Sequence, residues 1–289
     1  MTPRWPGGAR LALSLVINVE EGAEQNIADG DKGPDPVDEL QAIPHKPIRA
    51  YANESNYQYG LIEGAPRLLA ILDSYKARAT WTAAALALER SPDLARAIAS
   101  RGDEICCHGW RWVPQFAMEE AEERAFICKG RDSIARLTGT APLGWLSRYL
   151  HTENTRRILA EEGFFYHMDD FSRDQPFWDS VALSDGTGKP MVILPYALDT
   201  NDMKFWLTPA FSPSDWLQYA KDTLDCLYDE GGSALRMMSL GLHLRIIGRP
   251  GRIWAFRAFM DYVSKKPEIW VASRIEIAKA FAQLSPAGG

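Results

Sequence analysis

The sequence predicts an α/β protein with a largely parallel sheet, arranged either as a barrel or as a doubly wound sheet. Seven or eight apolar segments of strand length alternate with helix-like segments along the 289 residues, which is typical of these folds. The first segment, LALSLVINV (11–19), has the apolar, β-branched composition of a strand buried on both faces. Polar side chains follow the ends of several strands, where a parallel barrel carries its active site.

The predicted elements follow one another in α/β order. Strands are expected at 11–19, 79–85, 103–108, 142–146, 164–168, 191–197, 237–244 and 268–272. Helices are expected at 65–76, 91–102, 118–139, 152–163, 213–231, 252–266 and 273–284. The helix at 91–102 has recognisable ends, with Ser91 as the capping residue and Gly102 as the stop. No internal repeat or linker divides the chain, so we expect one domain over residues 1–289.

One polar stretch, at about 22–60, interrupts this order. It contains DGDKGPDP and no apolar run, and it is too long for an ordinary connection between two elements. Long segments of this kind are usually functional lids or binding loops. We therefore predict a long inserted loop here that covers a site or contacts a partner.

Composition narrows the class of partner and the compartment. A formal net charge of −6 argues against nucleic acid or an anionic membrane as the main partner, and leaves a small-molecule substrate open. The four cysteines, Cys106, Cys107, Cys128 and Cys226, form no CxxC pair, which favours a reduced cytosol. No apolar run approaches the ~18 residues of a membrane-spanning helix. We expect a soluble cytoplasmic protein.

Candidate functional residues stand at the ends of the predicted strands. Core packing explains apolar strands, but it does not explain why polar groups collect at one end of them. In a parallel barrel these ends converge on one face. The residues concerned are Glu20, Glu21, His108, Arg148, Asp199 and His243.

The acidic and histidine candidates suggest acid–base chemistry. Glu20 and Glu21 are adjacent, so on an extended backbone their side chains point to opposite faces, and either can be the one that acts as a general base. His243 is a reasonable general acid. His108 is either a packed histidine or a functional one; as a metal ligand it would need two protein partners, and the position one helical turn later holds Trp112.

The other candidates have structural alternatives. Asp199 and Asp202 belong to LDTNDMKF, which also suits an Asx-rich turn. Trp110 and Trp112 can wall a pocket or fill the core. Arg249 belongs to an arginine group after His243 that either binds an anionic substrate or solvates the start of the next helix.

The order of the motifs resembles that of the polysaccharide deacetylases, and in particular the branch with the metal-independent allantoinases and cyclic imide hydrolases. The matching stretches are NVEEG (18–22), GDEICCHGWRW (102–112), GWLSR (144–148), NTRRILAEEGFFY (154–166), LPYALDTNDMKF (194–205) and SLGLHLRIIGRPGR (239–252). They cover almost the whole chain in order. The resemblance implies a distorted (β/α)7 barrel.

The resemblance also implies roles. The first motif of the deacetylases supplies a carboxylate base and then a metal-binding aspartate, and here Glu20 and Glu21 stand in those positions. The second motif supplies two histidine ligands, of which His108 is present and the second is Trp112, whose indole cannot ligate a metal. The last motif supplies a histidine general acid, matched by His243. We therefore expect no metal cofactor; if one is bound, its ligands would include Glu21 and His108.

These observations predict a hydrolase of non-peptide carbon–nitrogen bonds that opens a small cyclic amide, imide or ureide. Its catalytic residues would be Glu20, His108 and His243. Its substrate contacts would come from Glu21, Trp110, Trp112, Arg148, Asp199, Asp202 and Arg249. The first alternative is a metal-dependent N-deacetylase of a carbohydrate, with a single zinc or similar divalent metal. The second is a non-catalytic barrel that binds a small molecule or serves as an assembly subunit. The resemblance further implies a homo-oligomer, a dimer or a tetramer.

Overall fold

A nine-stranded, mostly parallel sheet forms the centre of the protein in the computed structural model, which describes residues 3–35 and 47–288. The strands are β1 Leu11–Val19, β2 Thr80–Ala83, β3 Glu104–Cys107, β4 Gly144–Trp145, β5 Tyr166–His167, β6 Phe177–Ala182, β7 Gly188–Ile193, β8 Arg236–His243 and β9 Ile269–Val271. Their order in the sheet is β6-β7-β5-β4-β3-β2-β1-β8, and β9 also pairs with β1.

The strand β1 is the axis of the sheet, and all nine of its residues are buried. The strand β8 runs beside it from Leu11↔Arg236 to Asn18↔His243, while β2 pairs with its second half and β9 with its first. A bridge between Asn201 and Gly241 adds the segment after β7 to the other side of β8. The sheet therefore curls into a half-barrel, which confirms the predicted fold class of the polysaccharide deacetylase type.

One antiparallel strand departs from the predicted parallel order. The strand β6 pairs antiparallel with β7, and the sequence pattern did not indicate it. Only Val181 of its six residues is buried, so FWDSVA has no apolar run to mark it as a strand. The strands β4 and β5 are also shorter than predicted, with two residues each.

Helices surround the sheet at nearly all the predicted places. They are α1 Tyr51–Tyr59, α2 Ala65–Tyr75, α3 Ala85–Arg90, α4 Pro92–Arg101, α5 Glu120–Thr138, α6 Thr155–Glu161, α7 Pro213–Glu230, α8 Leu244–Ile247, α9 Pro250–Ser264 and α10 Arg274–Leu284. Gly102 ends α4 in the left-handed conformation, as expected, but Ser91 occupies the cap position without a side-chain hydrogen bond. In the described part of the chain, no helix has the length and apolar character needed to span a membrane.

The predicted loop at 22–60 is shorter than expected because it ends in a helix. The helix α1 was missed because it buries only Asn53 and Tyr57 and so lacks an apolar stripe. A π-helical turn, Gly60–Gly64, joins it to α2. Gly60 lies against the Glu21 carboxylate, where a Cβ would be only 2.6 Å from Oε1. The middle of the predicted loop, residues 36–46, lies outside the described residues.

The first part of this loop, residues 22–35, contacts the segments that follow β2, β3 and β4. Asp29 pairs with Arg90, and Asp31 accepts two hydrogen bonds from Arg111, at 2.9 and 2.6 Å. Asp35 is buried and pairs with Arg148. The ion pairs hold this part of the loop against the carboxyl ends of the strands.

Candidate active site

The three predicted catalytic side chains lie together at the carboxyl ends of the strands. Asn18 and His243 are neighbours in the β1–β8 ladder, and Glu20 follows two residues after Asn18. Oε1 of Glu20 is 3.4 Å from Nε2 of His243 and 3.8 Å from Nε2 of His108. All three side chains are buried. The curled sheet therefore brings together residues separated by more than 200 positions in the sequence.

An arginine that the predictions left out neutralises the glutamates. Nη1 of Arg245 donates to Oε2 of Glu20 at 2.6 Å and lies 3.6 Å from Oε1 of Glu21. Burial would raise the pKa of Glu20, but the charges of Arg245 and His243 outweigh it and hold that pKa well below its usual range. Glu20 is therefore an ionised carboxylate at neutral pH. Arg245 stands two residues after His243, in the short helix α8 that follows β8 directly.

Glu21 lies behind Glu20. Its Oε2 accepts a hydrogen bond from the Glu20 N–H at 3.0 Å, and its Oε1 is buried without a hydrogen bond from any of residues 3–35 and 47–288. Burial raises the pKa of Glu21 to about 7, because the opposing attraction of Arg245 is partly cancelled by the charge of Glu20. The two adjacent glutamates thus have different environments, and only Glu20 lines the cavity described below.

His243 is held by Asp202. Nδ1 of the histidine lies 2.6 Å from Oδ1 of Asp202, whose Oδ2 accepts the backbone N–H groups of His243 and Ile247 at 2.8 and 3.0 Å. Burial would lower the pKa of His243, but the charges of Glu20 and Asp202 raise it to about 10. His243 is therefore an imidazolium at neutral pH. Asp202 was predicted to bind substrate; it lies fully buried behind the histidine instead.

Both ring nitrogens of His108 are engaged in hydrogen bonds. Its Nδ1 lies 2.6 Å from the Leu146 carbonyl, which can only accept, so Nδ1 carries the proton. Its Nε2 accepts a hydrogen bond from the indole Nε1–H of Trp112 at 3.1 Å. The tryptophan that replaces the second histidine of the family motif thus covers the remaining lone pair of the first.

These side chains do not fit a catalytic metal ion. A histidine ligand needs a nitrogen lone pair, and the one on His108 is used by Trp112. The positive charge beside Glu20 and Glu21 is already supplied by Arg245. Over residues 3–35 and 47–288, no group of three or more His, Cys, Asp or Glu side chains is arranged to hold a metal. His45 lies outside those ranges.

A cavity of about 320 Å³ opens onto the three predicted catalytic side chains. Glu20, His108, His243 and Trp112 line its inner part. Its mouth carries four exposed apolar side chains, Tyr149, Leu150, Phe171 and Leu198. The cavity is therefore small, with charged groups at its base and an apolar entrance.

One wall of the cavity is a buried ion pair between residues 113 positions apart in the sequence. Arg148 donates to both carboxylate oxygens of Asp35, at 3.0 and 2.6 Å, and to the Trp112 carbonyl at 2.8 Å. Its guanidinium lies 3.6 Å from the centre of the Trp112 ring. Arg148, which was predicted as a substrate contact, thus lines the cavity, but its charge is neutralised by Asp35, which the predictions missed.

Three predicted substrate contacts lie outside this cavity. The face of Trp110 is covered by Lys129, whose Nζ is 3.0 Å from the ring centre. Asp199 accepts a hydrogen bond from the Tyr219 hydroxyl at 2.9 Å. Arg249 donates to Asn56 at 2.6 Å and stacks on Tyr59. The residues that sequence reasoning missed, Asn18, Tyr196 and Asn201, do line the cavity and belong to the quoted motifs NVEEG and LPYALDTNDMKF.

Known proteins with the same fold and related sequence identify the family. Residues 56–166 match the family model described as polysaccharide deacetylase. PuuE allantoinase is 40% identical, with a TM-score of 0.92, over 99% of this chain and 95% of that chain. A Pseudomonas aeruginosa PAO1 structure, provisionally described as a polysaccharide deacetylase, is 39% identical, with a TM-score of 0.92 and the same coverage. A Schizosaccharomyces pombe protein with the same provisional description is 32% identical over 99% of this chain and 94% of its own length.

The sequence identity to these relatives extends over nearly the whole length of both chains and therefore includes the segments that form the site. The sequence motifs, the curled sheet and the predicted catalytic side chains at its carboxyl edge all point to one group of enzymes. The chain belongs to the polysaccharide deacetylase family, which includes the deacetylases and PuuE allantoinase and consists of hydrolases that act on carbon–nitrogen bonds.

Proposed function

We propose that the protein opens a small cyclic amide, imide or ureide by hydrolysis without a metal ion. The observation that carries this proposal is the ionised Glu20 beside the protonated His243, in a site where Trp112 covers the lone pair of His108. Acid and base are thus supplied by the chain itself. The similarity to PuuE allantoinase, at 40% identity over nearly the whole chain, supports a ring as the substrate.

The arrangement of Glu20 and His243 suits hydrolysis of a carbon–nitrogen bond by a general base and a general acid. Glu20 accepts a proton from water as the water oxygen attacks the carbonyl carbon, and the carbonyl oxygen becomes an oxyanion. The carbon–nitrogen bond then breaks, and His243 donates its Nε2 proton to the leaving nitrogen. Because Oε1 of Glu20 is 3.4 Å from that nitrogen of His243, the proton on Glu20 can return to the histidine and restore both groups.

A ring suits a site with no Lewis acid. Without a metal, the oxyanion must be stabilised by fixed hydrogen-bond donors and nearby positive charge. Strained rings open more readily than open-chain amides, so they demand less of that stabilisation. The volume of the cavity, about 320 Å³, is near the lower end of the ~300–1,000 Å³ found for small-molecule sites.

Asp169 offers an acceptor for a substrate N–H. It lines the cavity, and its Oδ2 is held by the Ser147 N–H at 2.9 Å and by Nε2 of His167 at 2.5 Å. Burial would raise the pKa of Asp169, but His167 and the Ser147 N–H lower it, so the group is an ionised carboxylate. Imides and ureides carry an N–H next to a carbonyl, which such a carboxylate can recognise.

A metal-dependent N-deacetylase of carbohydrates is the second candidate. The description of the matched family and the provisional descriptions of two relatives favour it. It would require His108 to give up its bond from Trp112 and a third ligand to join Glu21 and His108.

The test compares both candidates on one preparation. The purified protein is analysed for bound metal and assayed on succinimide, hydantoin, allantoin and N-acetylglucosamine oligomers, each with and without a chelator. We expect ring opening at the same rate in both conditions and no deacetylation. Deacetylation that the chelator abolishes and zinc restores would overturn the proposal in favour of the second candidate.

A further inference from the structure

We infer that the hydroxyl group of Tyr196 is a catalytic donor, which gives its proton as a hydrogen bond to the carbonyl oxygen of the substrate as that oxygen becomes an oxyanion. The inference rests on the proposed function for the reaction, but the direction of the hydroxyl follows from the geometry of the side chains around it. Tyr196 is buried, lines the cavity beside Glu20 and His243, and was not among the predicted site residues.

The first neighbour that fixes this direction is Asn18. Its Nδ2 donates to the Leu242 carbonyl at 3.1 Å, and a carbonyl can only accept, so the amide cannot be turned over. Its Oδ1 accepts the Thr82 hydroxyl at 2.5 Å, which agrees with that orientation. The same Nδ2 lies 3.3 Å from the oxygen of Tyr196. Asn18 is therefore a donor to Tyr196.

The second neighbour, Asn201, is fixed independently. Its Oδ1 accepts the backbone N–H of Met203 at 2.9 Å, and a backbone N–H can only donate. Its Nδ2 consequently faces the oxygen of Tyr196, at 3.1 Å. Two amide groups, each oriented by a backbone partner, donate to the same phenolic oxygen.

The proton of the hydroxyl must then point elsewhere. Among the residues that the structure describes, the Tyr196 oxygen has two hydrogen bonds, and it accepts both of them. The remaining direction is the cavity that Tyr196 lines. Burial raises the pKa of Tyr196 above its usual value, so the group keeps its proton throughout the working range of pH.

The strands hold this hydroxyl beside the catalytic pair. Asn18 is the ladder partner of His243, so the group that orients Tyr196 lies on the strand pair that presents Glu20 and His243. Gly241, two residues before His243, lies directly against the Tyr196 oxygen, and a Cβ at that position would clash with it. The hydroxyl is thus fixed before substrate binds, which is the condition under which a donor stabilises an oxyanion well.

The reaction balances with this donor in place. Water supplies an OH to the acyl carbon and its proton passes to Glu20, while the carbonyl oxygen gains negative charge and the Tyr196 hydrogen bond to it shortens. The tyrosine keeps its proton throughout. Collapse of the intermediate breaks the carbon–nitrogen bond, and the leaving nitrogen takes a proton from His243.

The first test replaces the phenol. Tyr196→Phe is assayed on the ring substrates named above, with kcat and KM measured separately. Removing one oxyanion donor typically lowers kcat by ~10²–10³-fold, and we expect a loss of that size with little change in KM. A kcat within about threefold of the wild-type value would overturn the inference. As a matched control, Tyr166→Phe removes a buried hydroxyl that donates to Glu104 in the core, and should lower the melting temperature while sparing kcat.

The second test keeps the phenol of Tyr196 and changes the direction in which its hydroxyl donates a hydrogen bond. In Asn201→Asp, one carboxylate oxygen still accepts the Met203 N–H, but the other now accepts from Tyr196 instead of donating to it. We expect a kcat loss comparable to that of Tyr196→Phe and no further loss in the double variant. Unchanged kcat in Asn201→Asp, or independent losses that add in the double variant, would contradict the assigned hydrogen-bond direction.

A spectroscopic readout separates this inference from the proposed function. In protein labelled with ¹³Cζ-tyrosine, the Tyr196 signal, identified by its absence in Tyr196→Phe, should shift when succinimide or hydantoin is added. If a ring binds but is not opened, the proposed function fails, and the presence or absence of that shift still decides the role of Tyr196. If no ring binds, both fail.

Discussion

At the scale of single residues, the site depends on the different environments of similar groups. Glu20 and Glu21 are neighbours in sequence, yet one is ionised against Arg245 and His243 and the other is buried with a pKa near neutrality. His108 and His243 also have different hydrogen-bond partners: Asp202 holds Nδ1 of His243, whereas the Leu146 carbonyl and the Trp112 indole engage the two nitrogens of His108. Partners, more than residue type, decide which group carries which proton.

The base is tested by removing its charge without changing its size. We expect Glu20→Gln to lower kcat by ~10²–10⁴-fold, the usual contribution of a general base, while the protein stays folded. Glu21→Gln is the matched control, because it is the same change one residue away on a group outside the cavity, and its kcat should stay within about tenfold of the wild type. Equal losses in both variants would contradict the assignment of Glu20. Steady-state kinetics and circular dichroism provide the two readouts.

The acid is tested through its pH profile. His243 must be protonated to act, and its pKa is raised to about 10 by Glu20 and Asp202, so activity should fall only as the pH approaches that value. Asp202→Asn removes one of the two negative charges and should move this alkaline limb to lower pH. The measurement is kcat/KM from pH 6 to 11 for both proteins. An alkaline limb that does not move would mean that another group sets it.

At the scale of elements, the segment 22–35 is a wall of the cavity fixed by ion pairs. The buried pair between Asp35 and Arg148 holds the end of this segment beside Trp112, which in turn holds His108. The pair between Asp29 and Arg90 lies nearer the surface. Buried and exposed pairs should therefore contribute very differently to the order of the segment.

Removing one partner of each pair tests this difference. In Asp35→Asn the guanidinium of Arg148 loses its counter-charge while buried, a change that typically destabilises by about 3–5 kcal/mol. In Asp29→Asn an exposed pair is lost, which typically changes stability by about 0.2–1 kcal/mol. We expect faster amide hydrogen exchange in 22–35 and a raised KM for the Asp35 variant alone. Similar exchange in both variants would argue against a wall anchored by Arg148.

At the scale of the whole molecule, the curled sheet buries titratable side chains in the site, and their pKa values make the stability of the fold depend on pH. Glu21 and His243 both bind a proton more tightly in the folded protein than in the unfolded chain, since their pKa values rise to about 7 and about 10. Such groups stabilise the fold fully below their unfolded pKa values and lose that contribution as the pH rises through the folded ones. Glu20 has the opposite sign, with stability lost at acid pH as its lowered pKa is approached.

The free energy of unfolding should consequently be highest near pH 4.5, the usual pKa of a glutamate, and fall from there toward pH 10. Between pH 4.5 and about 7, titration of Glu21 should lower the free energy of unfolding by about 3 kcal/mol, the energy that corresponds to its pKa shift. Glu21→Gln should abolish this part of the pH dependence. Denaturant titrations at pH 5, 7 and 9 measure this slope. A variant with the same slope as the wild type between pH 5 and 7 would show that Glu21 does not titrate there.

The predicted homo-oligomer and the cytoplasmic location stay predictions.

Local sequence patterns were sufficient for the fold and for part of the site. The runs at 11–19 and 237–244 were recognisable as strands because burial on both faces leaves them apolar, and Glu20 and His243 were found because they end those strands. The strand β6 and the helix α1 were missed because they expose most of their residues and so leave no apolar pattern.

The sequence by itself determined the parallel α/β fold, the family motifs and the placement of Glu20, His108 and His243 at strand ends, since these follow from periodicity and from neighbours in the chain. Only the tertiary structure decided which glutamate lines the cavity, that Asp35 neutralises Arg148 across 113 positions, and that Tyr196 has its proton directed into the cavity. The physical reason is that protonation and hydrogen-bond direction depend on groups brought together from distant segments, and no local pattern records those neighbours.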